Sequence, residues 1–393
     1  MIDENHILEN LKEFSFPRLS GTYLERKSFM LAKRKIESLN LIPTIQKFSF
    51  SIFYSRVYPK LALILLFWLH LILFLNIQII FTYVNIFVVL LMLVILIIIT
   101  RNPEQIKIGK KLYSQNIFVK IPLKSRSKKK NSEKKNVIND YNKDIFLFSH
   151  LDSKGQLFSI KFRILFYYLW IFSFTIGLFI NSINSYLLLN IILLFQIIGI
   201  LVLSINGLAT ICILLNKTNN ISKGAIDNAS GISIVMELLH YYSNPNNRLK
   251  NITLWFVFTG AEETGTMGVR NFYKNIKDFD RKKTFTINFD SIAKKAILYN
   301  HGLINNSYSK SINFILENED LNLVKAKKIY IGTYSDGLFL LNKKFQGLGN
   351  GDKTSYGYLH SIDDNIDKID PLVLKKLCQF YTILFEEIAS SME

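Results

Sequence analysis

The sequence predicts an α/β sheet domain cut into three pieces by two membrane-spanning helical hairpins. Three observations carry that reading. Residues 61–100 and 164–215 contain no Lys, Arg, Asp or Glu, although a fifth of the chain is charged. In the remainder, short apolar strands alternate with amphipathic helices, as in a sheet flanked by helices. Acids and histidines gather where those strands end, the place at which an open α/β sheet builds its sites.

The composition bounds the rest. An apolar content of 49% excludes intrinsic disorder. With two cysteines, Cys212 in an apolar run and Cys378 in a predicted helix, a disulfide scaffold is excluded and a reducing compartment fits. A single helix of about 40 residues would measure about 60 Å, twice the roughly 30 Å hydrocarbon core of a bilayer. Each charge-free stretch therefore reads as two helices, with turns expected near Asn76 to Asn85 and at Asn181-Ser182-Ile183-Asn184-Ser185. The start, Met1-Ile2-Asp3-Glu4-Asn5, is acidic and no early apolar run follows, so no signal peptide is expected.

Two hairpins return the chain to its starting side. Segments 1–59, 102–160 and 217–393 then share one face, with hairpins at 60–101 and 161–216. Lys60, Arg101, Lys107, Lys110, Lys111, Lys161, Arg163 and Lys217 flank the apolar stretches on that face. The positive-inside rule places it in the cytoplasm, with the cell membrane as the expected location. The net charge of +18 raises the question of nucleic acid. Its densest cluster, Lys124, Arg126, Lys128, Lys129, Lys130, Lys134 and Lys135, is rich in Ser and Asn and carries no recognition motif. A loop near anionic headgroups is expected there, not a nucleic-acid site.

Taken in order, residues 3–14 read as a helix. Thr22-x-x-Glu25 is a capping box for a second helix to about Leu39. Phe48, Phe50 and Ile52 alternate with Lys47, Ser49 and Ser51, the period of a half-buried strand. Strands are expected at 116–121 and 143–149, on either side of the basic loop. Ile232, Val235, Met236 and Leu239 mark one face of a helix beginning just after Asp227. Residues 252–258 are continuously apolar, as in a strand buried on both faces, and 284–289 form another. Asp370 and Pro371 supply N-cap and N1 chemistry for a last helix to about Ser390.

Candidate chemistry lies in the loops between these elements. His150 ends a strand, with Asp152 two residues on. Asp227 sits in Gly224-Ala225-Ile226-Asp227-Asn228-Ala229-Ser230-Gly231, where a helix begins. Glu262 and Glu263 follow a strand in Thr259-Gly260-Ala261-Glu262-Glu263-Thr264-Gly265; Asp290 directly follows another; His360 lies in Tyr358-Leu359-His360-Ser361. Each alone is more often a cap, a solvated loop or a structural histidine. Together, two imidazoles and three carboxylates offer the N and O donors that zinc takes. A shared carboxylate can bridge two ions ~3.5–4 Å apart. A carboxylate two residues from His150 can fix its tautomer. In the Glu pair successive side chains diverge, so one can hold a metal while the other faces the attacking water.

These segments resemble the co-catalytic di-zinc aminopeptidase family, whose relatives include glutamate carboxypeptidase, glutaminyl cyclase and the transferrin receptor ectodomain. The likeness runs through Ser149-His150-Leu151-Asp152-Ser153, residues 224–231 and 258–265, Asn288-Phe289-Asp290 and residues 360–370. Pro17-Arg18-Leu19-Ser20-Gly21-Thr22 and Ser335-Asp336 add to it. It spans all three soluble segments and neither hairpin. It implies a mixed sheet flanked by helices, a peptide substrate and two zinc ions. It further implies that His150 and Asp290 hold one zinc, Glu263 and His360 the other, and Asp227 both. Glu262 would be the general base and Asp152 would orient His150. Tyr358, with Tyr356 as its rival, would help the metals stabilise the oxyanion. Soluble members bring the bridging Asp close after the His-x-Asp motif; here a hairpin intervenes, so both hairpins read as insertions into one catalytic domain.

Other motifs fall away. Residues 349–354 lack the glycine a P-loop needs before its Lys. Residues 363–370 lack the Gly and Glu of a calcium loop. Adjacent Glu262 and Glu263 cannot flank a glycosidic bond. A transporter is disfavoured, since His70 is the one ionisable residue within the spans. A membrane-embedded zinc exopeptidase, most simply an aminopeptidase, is the expected function. The alternatives are a non-catalytic receptor or scaffold on the same fold, or carboxypeptidase or glutaminyl-cyclase chemistry. A degenerate scaffold should have lost ligands, and here all five and the base are present.

Overall fold

A computed structural model describes residues 1–124, 142–184, 189–301, 310, 312–313, 315–316, 324–326 and 335–390. Of the basic cluster, only Lys124 is among them; residues 126–135 lie outside. The chain divides into two compact units. The first comprises Met1–Ser49, Tyr113–Gly155 and Asn219–Glu393; the second comprises Phe50–Leu112 and Gln156–Thr218.

The first unit is built on eight strands: β1 (Thr44–Ser51), β2 (Lys111–Ile121), β3 (Lys143–His150), β4 (Ile252–Thr259), β5 (Thr284–Phe289), β6 (Ile297–His301), β7 (Val324–Ala326) and β8 (Gln346–Gly351). Their order across the sheet is β1-β2-β4-β3-β5-β8-β6-β7. The sheet is mixed. β4, β3, β5 and β8 run parallel at its centre, β2 pairs antiparallel with β4, and β6 antiparallel with β8. The central strands are almost wholly buried, as their unbroken apolar sequences require.

Helices flank this sheet. α1 (Glu4–Phe14) and α2 (Tyr23–Ser38) precede it. α7 (Ser230–Ser243) packs on β3, β4 and β5 and meets α1 and α10 (Pro371–Ser390). α8 (Met267–Ile276) and α9 (Asp336–Asn342) close a core in which Phe146 and Phe148 of β3 meet Phe272, Ile276, Phe339 and Leu340. Burial of each such ring contributes about 1.5–3 kcal/mol. The capping box holds in modified form. Thr22 Oγ1 accepts the Glu25 amide at 3.4 Å, but Glu25 reaches back to the Gly21 amide, one residue earlier than expected, at 2.6 Å.

The second unit contains α3 (Tyr58–Leu75), α4 (Ile79–Thr100), α5 (Ile160–Asn184) and α6 (Leu189–Leu215). All four carry stretches long and apolar enough to cross a membrane. Ile80, Val84, Phe87, Leu91, Ile95 and Ile98 form an exposed apolar stripe along α4 at helical spacing. Inside the unit, Asn206 donates to the Trp170 carbonyl and to Ser173 Oγ, both at 3.0 Å, and Trp170 Nε1 donates to Thr210 Oγ1 at 3.0 Å.

The turns differ from expectation. The break between α3 and α4 is confined to residues 76–78, and Asn85 lies well within α4. Its amide donates to the Phe81 carbonyl at 2.9 Å and its oxygen accepts Trp68 Nε1 at 3.3 Å, so the helix tolerates it. Likewise α5 runs through Asn181-Ser182-Ile183-Asn184 rather than turning there. Ser182 Oγ returns to the Leu178 carbonyl at 2.8 Å, the usual accommodation of a helical serine. Ser185 lies outside the described residues.

Candidate metal centre

The parallel pairing sets the site. β3 and β4 end in register, His150 opposite Thr259, and β5 beside them ends at Phe289. The residues leaving these ends therefore emerge together: Asp152 after β3, Glu262 and Glu263 after β4, and Asp290 after β5. Asp227 comes from the turn leading into α7, and its peptide bond to Asn228 is cis. Gly231 lets this turn lie against β5: a Cβ there would stand 2.5 Å from the Phe289 carbonyl oxygen. Ala261, Ser291 and His360 all hold left-handed backbone around the site, a conformation that costs non-glycine residues on the order of 1–3 kcal/mol each.

Five side chains converge into two triads that share Asp227: His150, Asp227 and Asp290, and Asp227, Glu263 and His360. Asp227 Oδ1 is 3.1 Å from His150 Nε2, and its Oδ2 is 3.0 Å from His360 Nε2. His150 Nε2 also lies 3.7 Å from Asp290 Oδ1, and His360 Nε2 lies 3.1 Å from Glu263 Oε1. Lys154 Nζ holds the other Glu263 oxygen at 2.6 Å. Buried His150 Nε2 and Glu263 Oε1 have no hydrogen-bond partner among the described residues. Two buried ligand atoms without a hydrogen bond, one in each triad, match the needs of divalent cations, and the N and O donor set suits zinc.

The electrostatics point the same way. Burial pulls the His150 imidazolium down, but Asp152, Asp227 and Asp290 together hold it well above 6.5. Burial raises Asp227, yet His150 and His360 hold it well below the usual carboxylate range. Glu263, opposed by burial, is brought to about 2 by His360 and Lys154. His360 is raised despite burial, chiefly by Glu263. The pocket thus demands positive charge, from protons where no metal is bound. Glu262 belongs to neither triad. Burial raises its carboxyl well above the ordinary range, and Glu263, Asp290 and Asp336 raise it further against the pull of His150.

Asp152 does more than the sequence suggested. His150 Nδ1 meets the Asp152 backbone carbonyl at 3.0 Å and its carboxylate only at 3.5 Å. That carboxylate instead accepts the Glu262 and Glu263 amides, both at 3.0 Å, and Ser20 Oγ at 2.5 Å. Tyr358 is half exposed, with Lys368 5.2 Å from its ring centroid. Its rival Tyr356 has its hydroxyl pKa raised by burial, by Tyr299 and by the charge of Asp290.

Three supporting residues escaped a role in the sequence reading. Arg18, fully buried, donates to the carbonyls of Phe14, Phe16, Leu151, Lys223 and Gly224. Burial brings its guanidinium down to about 10. Asp364 accepts the Ile226 amide at 2.6 Å and Ser222 Oγ at 3.2 Å, anchoring the Asp227 turn. Glu25 accepts the Ala261 amide at 2.9 Å and Ser114 Oγ at 2.7 Å beneath the Glu262 loop. Arg18 and Asp364 stood inside the quoted motifs; Glu25 was hidden by its local role as a helix cap.

Residues 209–381 match the family model described as peptidase family M28. The chain fits the co-catalytic zinc peptidase family. It is a metallopeptidase, and a hydrolase. Similar solved structures have its fold at low identity. An aminopeptidase from Aneurinibacillus sp. strain AM-1 superposes with a TM-score of 0.56 at 13% identity, over 99% of this chain and 94% of that one. BSAP, a zinc aminopeptidase from Bacillus subtilis, gives 0.54 at 12%, over 98% and 95%. Fimbriiglobus ruber glutaminyl cyclase gives 0.53 at 11%, again over 98% and 95%. No curated protein sequence matches the metallopeptidase.

Proposed function

We propose that this metallopeptidase is a membrane-embedded aminopeptidase that uses two zinc ions to remove N-terminal residues from peptides. The observation that carries the reading is Asp227, whose two oxygens face the two imidazoles separately. His150 and Asp290 would hold one ion, Glu263 and His360 the other, and Asp227 both. When bound, the zinc pair supplies Lewis-acid polarisation of the scissile carbonyl and activation of a water.

The chain's own groups do the rest. Glu262, buried and outside both triads, takes a proton from the attacking water and delivers it to the leaving amine. Asp152 holds the Glu262–Glu263 backbone in place through its two amide contacts and keeps the His150 ring oriented through its carbonyl. A tyrosine, Tyr358 or Tyr356, donates to the developing oxyanion; the charges felt by Tyr356 favour it over half-exposed Tyr358.

The four apolar helices are read as two hairpins in a lipid bilayer, interrupting a peptidase domain whose parts are 1–59, 102–160 and 217–393. The basic flanks put the peptidase on the cytoplasmic face of the cell membrane. A zinc-loaded, detergent-solubilised chain, offered peptides with free or acetylated amines and an N-terminal glutamine peptide, tests the specificity. Release of the first residue from free-amine peptides alone is expected. Cleavage from the carboxyl end, or cyclisation of the glutamine without hydrolysis, would overturn it in favour of the carboxypeptidase or cyclase alternative.

A further inference from the structure

A third cluster of donor atoms lies away from the strand ends, between α1 and the later turns of α7. Glu237 sits on an otherwise apolar stretch of α7 and is fully buried. A carboxylate in such a place needs a cationic or hydrogen-bonding partner. Its Oε1 accepts the Asp3 amide at 2.7 Å, and its Oε2 is 2.5 Å from His6 Nδ1 on α1. One helical turn further, His240 shares the face of Glu237, as residues three apart do. Its ring centroid is 4.7 Å from that of His6. One donor atom from each of the three residues lies within 4.8 Å of the others.

We propose that His6, Glu237 and His240 form a further divalent-cation site, of the zinc class, independent of the peptidase centre. The donor set is two imidazoles and one carboxylate, with the fourth position on the solvent side where His240 is exposed. Ligand atoms on a tetrahedral zinc stand roughly 3.3–3.6 Å apart, given bonds of about 2.0–2.1 Å. To hold an ion, the exposed His240 would rotate inward, while the His6–Glu237 contact of 2.5 Å would open by about an ångström. The Asp3 amide fixes the carboxylate from behind, the role that outer hydrogen bonds play at metal sites. The ion would tie the first helix of the chain to the helix that follows Asp227. An ion pair between His6 and Glu237 accounts for those two residues but gives the second imidazole nothing to do.

The test uses the full chain in detergent, with Zn2+ alone as probe. Wild type is expected to bind one more zinc equivalent than His240→Gln or His6→Gln, while all three hydrolyse peptide at the same rate in saturating zinc. Because His240 is exposed, its substitution leaves the fold intact. In an Asp227→Ala background, zinc at a hundredfold excess over Kd should raise the melting temperature by about 5 °C. Adding His240→Gln should abolish that shift. Equal zinc equivalents in wild type and His240→Gln, or a melting shift that survives His240→Gln, would overturn the site and leave an ion pair.

Discussion

Asp227 is surrounded by groups that serve it indirectly, and their chemistry yields two predictions at the residue scale. Glu262→Gln keeps every proposed ligand but loses the group that moves protons. Zinc content should be unchanged while kcat falls by about 10²–10⁴-fold. Near-normal turnover in that variant would remove Glu262 from the mechanism. Asp364, raised from 3.8 to about 7 by burial and by the Asp227 charge, predicts a pH effect. The folded chain keeps this proton to about 7 whereas the unfolded chain releases it near 3.8. Stability of the metal-free protein should therefore fall as pH rises across that window and level off above it. Asp364→Asn retains an acceptor for the Ile226 amide, presents an N–H to Ser222 Oγ in place of an acceptor, carries no titrating proton, and should flatten the fall. Melting curves from pH 4 to 8 in chelator decide it; identical slopes for both proteins would refute the assignment. At this scale the sequence was most legible for His150, Glu262, Glu263 and Asp290, because the ends of parallel strands lie together. Arg18 and Glu25 were illegible because the partners that tie them to the site, the Leu151, Lys223 and Gly224 carbonyls for Arg18 and Ser114 and the Ala261 amide for Glu25, lie far away in sequence.

Elements were legible where hydrophobic period decided them and less so where polar residues found partners. β5 and α10 lie where the pattern of apolar runs and caps put them. The break expected near Asn76 to Asn85 narrows to residues 76–78, because Asn85 satisfies itself within the helix. Gly177 of α5 shows what period cannot reveal: a Cβ there would lie 1.9 Å from His70 Nε2 of α3. Overpacking of that kind costs about 1–3 kcal/mol. Gly177→Val should lower the melting temperature of the detergent-solubilised chain, and His70→Ala in the same chain should recover part of the loss. An unchanged melting temperature in Gly177→Val would mean that the two helices do not pack closely there.

For the whole molecule, the proposed membrane reading rests on the exposed apolar stripe on α4, the kind of surface that lipid would cover. An alkaline carbonate wash of membranes containing the full chain should leave it in the pellet. Recovery in the supernatant would end the membrane reading. The +18 net charge is absent from residues 61–100 and 164–215, and it is shared between the first unit and the basic flanks of the apolar helices in the second.

Arg18 carries a consequence for how the protein is made. Its guanidinium is satisfied by carbonyls beside it, by Leu151, and by Lys223 and Gly224, the last 206 residues downstream. At roughly 5–20 residues per second of synthesis, about 10–40 seconds separate Arg18 from its final acceptor. Until then the first segment cannot bury its cation without leaving donors empty. The opening of the chain must wait, unfinished, while all four apolar helices are synthesised, and it closes only when the segment bearing Asp227 arrives.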